Sequence, residues 1–305
     1  MKKLAIFISI IIVGLFFVDR IGGAIMLQVN KSSKDVLAPK LQYIKNNIHE
    51  NVVLIGNSRC HHHYIPSIIE DSLKMSVYNA GVGGADNIYS DYIVLCHILN
   101  RCKPKAICLE VSPSDYNMEK KSFSATRFFA PLFGNDKADS IFRLAGNYYE
   151  YRISHLYRYN AKAASNLWGL VINRQKNADK GYIPLPKPNQ SPTRAYKEED
   201  DTIVDQQKIE CLDRFCSLCK SNGIKLIFTV SPKFTKVGGS YYGILKDFAI
   251  ERDIPFMDYH TCGLYLDRPY YFKDHIHLWD KGAKMFSKTF AHDLKNIINI
   301  VGPIN

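Results

Sequence analysis

Residues 51–59 read Asn-Val-Val-Leu-Ile-Gly-Asn-Ser-Arg, a short apolar run that closes on a glycine and continues into polar residues. The β-branched run before Gly56 shows no polar alternation, which is typical of a strand buried on both faces. Gly56 permits a sharp exit from that strand, and a helix is expected to follow. These residues therefore predict a strand, a turn and a helix at the centre of an α/β fold.

The same alternation of strand and helix continues along the chain. Further strands are predicted at 77–81, 106–111, 224–230 and 255–259, and helices at 66–75, 86–102, 202–221, 240–252 and 280–297. Strands that alternate with helices are joined by right-handed crossovers, which place them parallel in one sheet with helices on both faces. The predicted fold is a three-layer αβα sandwich with a central, mainly parallel five-stranded sheet of flavodoxin-like type.

The composition excludes several classes of protein. The chain has 305 residues, of which 46% are apolar and 23% charged, and this usage excludes disordered, collagen-like and multi-span membrane proteins. The formal net charge of +11 favours an anionic neighbour such as a lipid headgroup, an acidic glycan or a nucleic acid. Because the basic residues are scattered and form no aromatic-and-basic repeat, no nucleic-acid partner is predicted.

The N-terminus has the pattern of an exported or anchored protein. Two lysines precede an apolar run at 4–18, and a second apolar patch follows Asp19 and Arg20. The first run has the length of a signal-peptide core, whereas both together approach the ~20 residues of a spanning helix. We predict that residues 1–27 form an uncleaved membrane anchor; a cleaved signal segment and a buried cytosolic helix are the alternatives. Residues 28–305 are then extracytoplasmic, in the periplasm or at the cell surface.

Two further segments lack the strand signal. Residues 31–49 are predicted to be a polar, mildly amphipathic stalk or helix. Between about 117 and 201 the chain is rich in aromatic residues and ends in Pro-rich and charged sequence (PLPKPNQSP, KEEDD), which predicts a helical insertion within the 28–305 domain. The insertion either adds packing alone, or forms a lid or substrate platform over the strand ends, or rests on the membrane.

Neither a metal nor a cofactor is predicted. Most of the eight cysteines lie in apolar contexts and are expected to be buried thiols. Adjacent helical residues point about 100° apart, so the histidines at 61–63 are unsuited to hold one ion together, although one of them is expected to line a pocket. The glycines at 81, 83 and 84 lack the spacing of a dinucleotide loop and follow the second strand.

Ser58 is the first candidate for a catalytic residue. Ligands of parallel sheets bind at the carboxyl ends of the strands, and Ser58 lies just beyond the first strand at the predicted start of a helix. A serine hydroxyl needs a base, and the tract at 272–278 (FKDHIHL) offers Asp274 and His277, three residues apart. The carboxylate can orient Nδ1 of the imidazole and leave Nε2 for serine. The alternatives are that Ser58 only caps the helix and that the other two side chains are merely solvated.

Three sequence blocks in this order resemble the SGNH/GDSL hydrolase superfamily: G-N-S-R at 56–59, N-A-G-V-G-G at 79–84 and D-H-I-H-L-W-D-K-G-A at 274–283. More narrowly, the chain resembles the membrane-anchored, cell-envelope O-acyltransferase-like branch, the alginate O-acetylation type. The resemblance covers about 51–116 and 203–294 and leaves out the insertion. It implies Ser58 as nucleophile, Asp274 and His277 as its partners, and Gly81 or Gly84 as an N–H donor to the oxyanion.

The resemblance also implies a reaction and partners. It implies an SGNH-type fold that carries out acyl ester chemistry, as an O-acyltransferase or an esterase, on an acylated envelope polysaccharide or glycolipid. If acyl transfer is the reaction, a membrane-bound partner that exports the acyl group is implied as well. No cofactor is implied.

The third block departs from the family pattern. The family places an Asn after the third strand, in G-x-N-D, whereas this chain reads V-S-P-S-D at 111–115. Loss of an oxyanion donor costs about 3 to 4 kcal/mol. Ser114 and Asn79 are candidates to replace it, and Arg59 is a further candidate for oxyanion or substrate binding. Alternatively, backbone N–H groups form the whole hole, or the domain is a non-catalytic module that binds glycan or scaffolds a polysaccharide assembly.

Overall fold

The computed structural model describes residues 1–85, 87–118, 123–175, 178–198, 203–237, 242–261 and 263–299. The strands are β1 (Val52–Gly56), β2 (Val77–Asn79), β3 (Ala106–Glu110), β4 (Tyr196–Lys197), β5 (Lys225–Val230), β6 (Thr235–Lys236) and β7 (Phe256–Asp258). The α-helices are α1 (Lys2–Ser32), α2 (Leu37–Asn46), α3 (Ser58–His63), α4 (Pro66–Leu73), α5 (Ile88–Leu99), α6 (Asp136–Leu144), α7 (Tyr148–Ile153), α8 (Ala163–Trp168), α9 (Gln206–Ser221), α10 (Gly243–Glu251) and α11 (Asp280–Asn299). Short 3-10 helices occupy Pro113–Asp115, Thr126–Leu132, Tyr157–Lys162 and Pro269–Tyr271.

Five strands form one parallel sheet in the order β2-β1-β3-β5-β7. In the register of this sheet, Val52 of β1 pairs with Val77 on one side and with Ala106 on the other. The chain passes from β1 outward to β2 and then returns across β1 to β3, so the direction of winding reverses between β1 and β3. Open α/β sheets bind ligands at such a reversal, outside the carboxyl ends of the strands. The predicted α/β fold with a central five-stranded parallel sheet is confirmed.

The side chains of the strands alternate between two apolar layers, because successive strand residues point to opposite faces. Val53 and Ile55 lie in a core cluster with apolar residues of α2, α5, α6, α9 and α10. Val52 and Leu54 lie in a second cluster with residues of α4 and α11. The sheet is therefore covered by helices on both faces, which gives the three layers.

Of the two alternatives predicted for residues 31–49, a stalk or a helix, the structure has a helix, α2, in this range. Leu37, Leu41 and Ile44 are buried in the first core cluster. Their spacing of four and three residues places them on one face of the helix, and the buried Lys40, three residues after Leu37 and four before Ile44, lies on the same side. The helix alternative is confirmed and the stalk alternative was wrong; the sequence left both open because the apolar stripe is narrow and is diluted by polar residues.

α1 has the length and composition of a membrane-spanning helix. Its apolar side chains up to Val18 are exposed, whereas Gly23 and Asn30 in its second half are buried. The helix continues to Ser32, beyond the boundary predicted at residue 27.

In the described parts of the chain between β3 and α9 lie α6, α7, α8, three of the 3-10 helices and the short strand β4. The aromatic residues of this part of the chain pack in the first core cluster: the ring centroid of Phe142 lies 5.9 Å from that of Phe133 and 5.3 Å from that of Tyr151. The guanidinium of Arg143 packs 3.8 Å from the ring centroid of Tyr148. The division of the chain into an anchor and a 28–305 domain with this insertion stays a prediction.

Candidate active site

Ser58 is the first residue of α3 and follows the carboxyl end of β1. The turn has no room for a side chain at Gly56, which has φ of +147° and where a Cβ would lie 2.7 Å from the Cβ of Glu110. The N-cap of α3 is Asn57, whose Oδ1 accepts a hydrogen bond from the N–H of Arg59 at 2.9 Å. Because Asn57 performs the capping, the interpretation of Ser58 as a helix cap was wrong, and its hydroxyl is free for other contacts.

Ser58, His277 and Asp274 come together above the sheet although 219 residues separate the first two in the chain. The distance from Ser58 Oγ to His277 Nε2 is 2.9 Å. His277 Nδ1 lies 3.1 Å from each carboxylate oxygen of Asp274. This is the order of contacts in which an acid orients an imidazole and the imidazole accepts the proton of a serine hydroxyl.

Asp274 is ionised at neutral pH. Burial acts to raise its pKa, but the hydrogen bonds from His277 and from the N–H groups of Ile276 and His277, both 2.8 Å from Oδ1, outweigh burial and hold the pKa at about 2. The carboxylate therefore selects the tautomer of His277 that carries its proton on Nδ1. The lone pair of Nε2 then faces the hydroxyl of Ser58.

His63 connects α3, which begins with Ser58, to the loop that carries His277. Its Nε2 accepts a hydrogen bond from the N–H of Leu278 at 3.0 Å, and its Nδ1 donates to Ser231 Oγ at 2.9 Å. Burial, together with the nearby His277 and Arg59, keeps the pKa of His63 well below its usual value, so the ring is neutral, as both bonds require. Sequence reasoning missed this role, because nothing in three adjacent histidines indicates which ring meets Leu278.

The structure corrects the assignment of Arg59 to oxyanion or substrate binding. Its guanidinium lies 3.1 Å from Glu110 and donates to the carbonyl of Val111 at 3.1 Å, and the two charged side chains are 4% and 0% exposed. Burial acts to lower the pKa of Arg59, but the Glu110 carboxylate and further groups beside it act in the opposite direction and together outweigh burial. The pKa therefore lies above its ordinary value, and the charge is retained. Glu110 also accepts bonds from the N–H and hydroxyl of Ser231 at 3.0 and 2.8 Å and from the Tyr64 hydroxyl. Arg59 is thus part of a buried ion pair beneath the site.

Asn79 and Gly81 are hydrogen-bonded to each other at the base of the loop after β2. The N–H of Gly81 donates to Asn79 Oδ1 at 3.0 Å. Asn79 Nδ2 donates to the carbonyls of Cys60 at 2.7 Å and Tyr64 at 2.9 Å, which uses both of its hydrogens. Neither residue keeps an N–H for an oxyanion, so both oxyanion assignments are corrected. Gly81 is needed for close packing, since a Cβ there would lie 2.7 Å from Cys60 Sγ.

Three groups remain as candidate oxyanion donors. The backbone N–H groups of Ser58 and Gly84 have no acceptor within the described ranges of the chain, and Gly84 takes φ of +79° in an exposed turn. Ser114 is half-buried, and its Oγ lies 2.6 Å from Ser112 Oγ. The Nδ2 of Asn57 makes only a long contact, 3.5 Å, with Ser112 Oγ, which makes Asn57 an additional candidate donor. The sequence analysis missed this residue.

A cavity of about 290 Å³ is lined by the neighbouring His62, although Ser58, Asp274 and His277 do not line it. It lies between Val82 and Gly83 of the loop after β2 and residues of the insertion such as Lys162. His62 lines it, and its ring stands perpendicular to that of His277 with the centroids 6.0 Å apart. His62 Nδ1 donates to the carbonyl of Ile183 at 2.7 Å, and burial lowers its pKa to about 4, so this ring is neutral. The cavity is the candidate substrate pocket.

Lys40 of α2 is a buried lysine on the wall of this cavity, with no carboxylate partner among the residues described. Its Nζ lies 2.7 Å from His61 Nδ1 and donates to the carbonyl of Gly81. Burial lowers its pKa to about 7, against a smaller opposite effect of Cys60. Lys40 therefore ties α2 to the loop after β2.

We expect Lys40→Met to be more stable than the wild type at pH 6 by about 2 to 4 kcal/mol. Because the pKa of Lys40 is about 7 in the folded protein and about 10.4 in an unfolded chain, the unfolded state binds more protons between these values. The wild type therefore gains stability as the pH rises through this window, and methionine, which carries no charge, removes this dependence. Denaturant unfolding at pH 6 and pH 9 measures both effects.

Lys220→Met, at an exposed position of α9, is the matched control and should change the unfolding free energy by less than about 0.5 kcal/mol at either pH. A Lys40→Met variant that is less stable than the wild type at pH 6 contradicts a buried charge at this position.

Comparisons with known proteins add the following. No protein-family model and no curated protein matches the sequence. Solved structures similar to it include a candidate acylhydrolase from Bacteroides fragilis, 15% identical, with a TM-score of 0.35 over 82% of this chain and 89% of that one. Another is a candidate lipolytic protein of the G-D-S-L family from Desulfitobacterium hafniense, 13% identical, with a TM-score of 0.41 over 81% of this chain and 99% of that one. At this level of similarity the reaction has to be inferred from the geometry of the site.

Proposed function

We propose that the protein is a serine-dependent enzyme of acyl ester chemistry that works through an acyl-serine intermediate. The proposal is carried by one observation, the hydrogen-bonded series from Ser58 through His277 to Asp274, with distances of 2.9 and 3.1 Å. Ser58 lies where the winding of the sheet reverses, at the start of a helix that another residue caps. A hydroxyl in this position, hydrogen-bonded to an imidazole that a carboxylate orients, is an activated nucleophile.

In the first half-reaction, Ser58 Oγ attacks the ester carbonyl carbon while His277 Nε2 takes the hydroxyl proton. The carbonyl π electrons move onto the oxygen, for which the N–H groups of Ser58 and Gly84 are the proposed donors. The C–O bond to the leaving alkoxide then breaks, His277 returns the proton to that alkoxide, and the acyl group stays on Ser58. In the second half-reaction a water or a sugar hydroxyl gives its proton to His277 and attacks the acyl carbon; the bond to Ser58 Oγ then breaks, and His277 returns the proton to Ser58 Oγ. Asp274 stays ionised throughout.

We propose that the acceptor belongs to an envelope polysaccharide or glycolipid and that the enzyme is an O-acyltransferase, as in the branch that the sequence resembles. Three observations support this proposal. α1 has the length of an anchor, which would hold the site outside the cytoplasm. The charge of +11 favours an anionic surface. The cavity lined by His62, whose ring centroid is 6.0 Å from that of His277, has room for a sugar near the site. A membrane-bound partner would then export the acyl group.

A non-catalytic module that binds glycan or scaffolds a polysaccharide assembly is the second candidate. It is favoured by one observation, that Asn79 and Gly81 have no N–H left to stabilise an oxyanion. The site then depends on fewer donors than the family pattern supplies.

Labelling with a fluorophosphonate probe separates the two candidates. This probe phosphonylates a serine only when an adjacent base activates the hydroxyl. We expect the detergent-solubilised full chain to be labelled, Ser221→Ala, at an exposed serine of α9, to be labelled equally, and Ser58→Ala to remain unlabelled. Absence of label on the wild type at every pH between 6 and 9 would favour the non-catalytic module.

The same preparation distinguishes an esterase from a transferase. A transferase moves acetyl from a simple phenyl ester to added oligosaccharide, whereas an esterase releases acetate at a rate that the oligosaccharide leaves unchanged.

A further inference from the structure

The second half of α1 is hydrogen-bonded to the insertion. Asp19 accepts bonds from the N–H groups of His155 at 2.9 Å and Leu156 at 3.2 Å, and from the hydroxyl of Ser154. The guanidinium of the next residue, Arg20, donates to the carbonyl of Ile153 at 3.0 Å. The two charged residues that interrupt the apolar sequence of α1 are therefore both bound by one short segment of the insertion.

Close packing extends this contact along α1. At Gly23 a Cβ would lie 2.6 Å from the Cβ of His155, and at Gly22 it would lie 3.2 Å from the side chain of Leu156. Further along, Asn30 is 1% exposed and accepts a bond from Asn166 Nδ2 at 3.0 Å. Cleavage near Gly22 and Gly23 would remove the contacts of Asp19, Arg20 and Gly22, so the folded body uses this part of α1 in its structure.

The length of α1 places its contact with the insertion, which we call the junction, at the edge of a bilayer. Residues 4–18 rise only about 22 Å at 1.5 Å per residue, whereas the hydrocarbon core is about 30 Å thick. A span of about 20 residues from Leu4 ends near Gly23. The segment that binds Asp19 and packs on Gly23 must then lie at the level where hydrocarbon meets headgroups.

The exposed side chains around the junction fit that level. Residues 148–157, which we name the interface segment, expose Tyr149, Ile153, Leu156 and Tyr157 together with Arg152. Aromatic and basic residues with exposed aliphatic neighbours are characteristic of the membrane interface. Between the interface segment and Met26 of α1 lies a mainly apolar cavity of about 360 Å³.

We propose that the interface segment is a second membrane contact, which inserts its exposed aromatic and aliphatic side chains at the lipid headgroup boundary beside α1. This inference rests on the proposed membrane anchor. With two attachment points, α1 and the interface segment, the orientation of the body relative to the bilayer is fixed rather than free about a single linker. A long apolar side chain such as Ile153 is then covered by lipid, which accounts for its exposure in the protein alone.

Photocrosslinking of the full chain to lipid tests this. p-Benzoylphenylalanine replaces Ile153, Ile250 or Ile8, one at a time, in protein reconstituted into vesicles of phosphatidylethanolamine, phosphatidylglycerol and a trace of alkyne-tagged phosphatidylcholine. Ile250 is the matched control for Ile153: the two side chains are 77% and 69% exposed, and only Ile153 lies in the interface segment. Ile8 lies in the apolar half of α1. We expect about tenfold more lipid adduct at Ile153 than at Ile250, with strong labelling at Ile8.

The outcomes separate this inference from the anchor itself. Labelling at Ile8 with equal, low labelling at Ile153 and Ile250 overturns the interface segment and leaves the anchor standing. Absence of adduct at Ile8 and Ile153 alike overturns both.

Discussion

Ser58→Ala is expected to lower kcat for hydrolysis of a simple acyl ester by about 10⁴- to 10⁶-fold. The variant removes the oxygen that lies 2.9 Å from His277 Nε2, so no acyl-enzyme forms. The activity that remains comes from water attacking the bound ester directly, with help from the oxyanion donors and from substrate binding. Steady-state kinetics with a phenyl acetate, on protein in the same detergent, measure the loss.

The fold should not change in this variant. Asn57, not Ser58, caps α3, so Ser58→Ala is expected to alter the unfolding free energy by less than about 0.5 kcal/mol. Asp274→Asn gives a graded comparison: it keeps the nucleophile but loses the charge that orients His277, for an expected decrease of about 10³- to 10⁴-fold. Turnover by Ser58→Ala at the wild-type rate would show that the hydrolysis has another origin.

The sheet and the three catalytic candidates could be predicted from the sequence because each has a local signal. Buried parallel strands are continuous apolar runs, and β1, β3 and β5 follow them closely. A serine directly after such a strand lies at the ligand-binding edge whatever the rest of the chain does. Asp274 and His277 are three residues apart, so their contact needs only one turn of the backbone.

The roles of Arg59 and Asn79 could not be predicted, because they depend on partners that are distant in the chain. Arg59 follows Ser58 in the chain, where a substrate contact is the natural expectation, but its partner Glu110 lies at the end of another strand. Asn79 follows its strand in the same way as an active-site residue would, yet Cys60 and Tyr64 use its amide hydrogens. Polarity indicates a residue that makes hydrogen bonds; only the packing of α3 on the sheet decides with which groups.

Glu110→Gln is expected to reduce the unfolding free energy by about 3 to 5 kcal/mol. The variant has the same shape, but it leaves the buried guanidinium of Arg59 without a counter-charge in a site where both side chains are almost fully excluded from water. The amide also offers fewer acceptors to Ser231, whose N–H and hydroxyl both donate to the carboxylate. Guanidinium unfolding of the full chain in detergent, followed by intrinsic fluorescence, measures the loss.

An ion pair at the surface provides the control. Arg252 and Asp213 lie 2.9 Å apart with side chains 31% and 50% exposed, so Asp213→Asn should cost less than about 1 kcal/mol. Adding Arg59→Met to Glu110→Gln removes the orphaned charge and should restore part of the stability, because the cost of the single variant is mainly the desolvation of an unpaired ion. If Glu110→Gln costs no more than Asp213→Asn, the pair contributes little to the fold. His63 and Ser231, which connect Glu110 to the loop of His277, would then have to be positioned by packing alone.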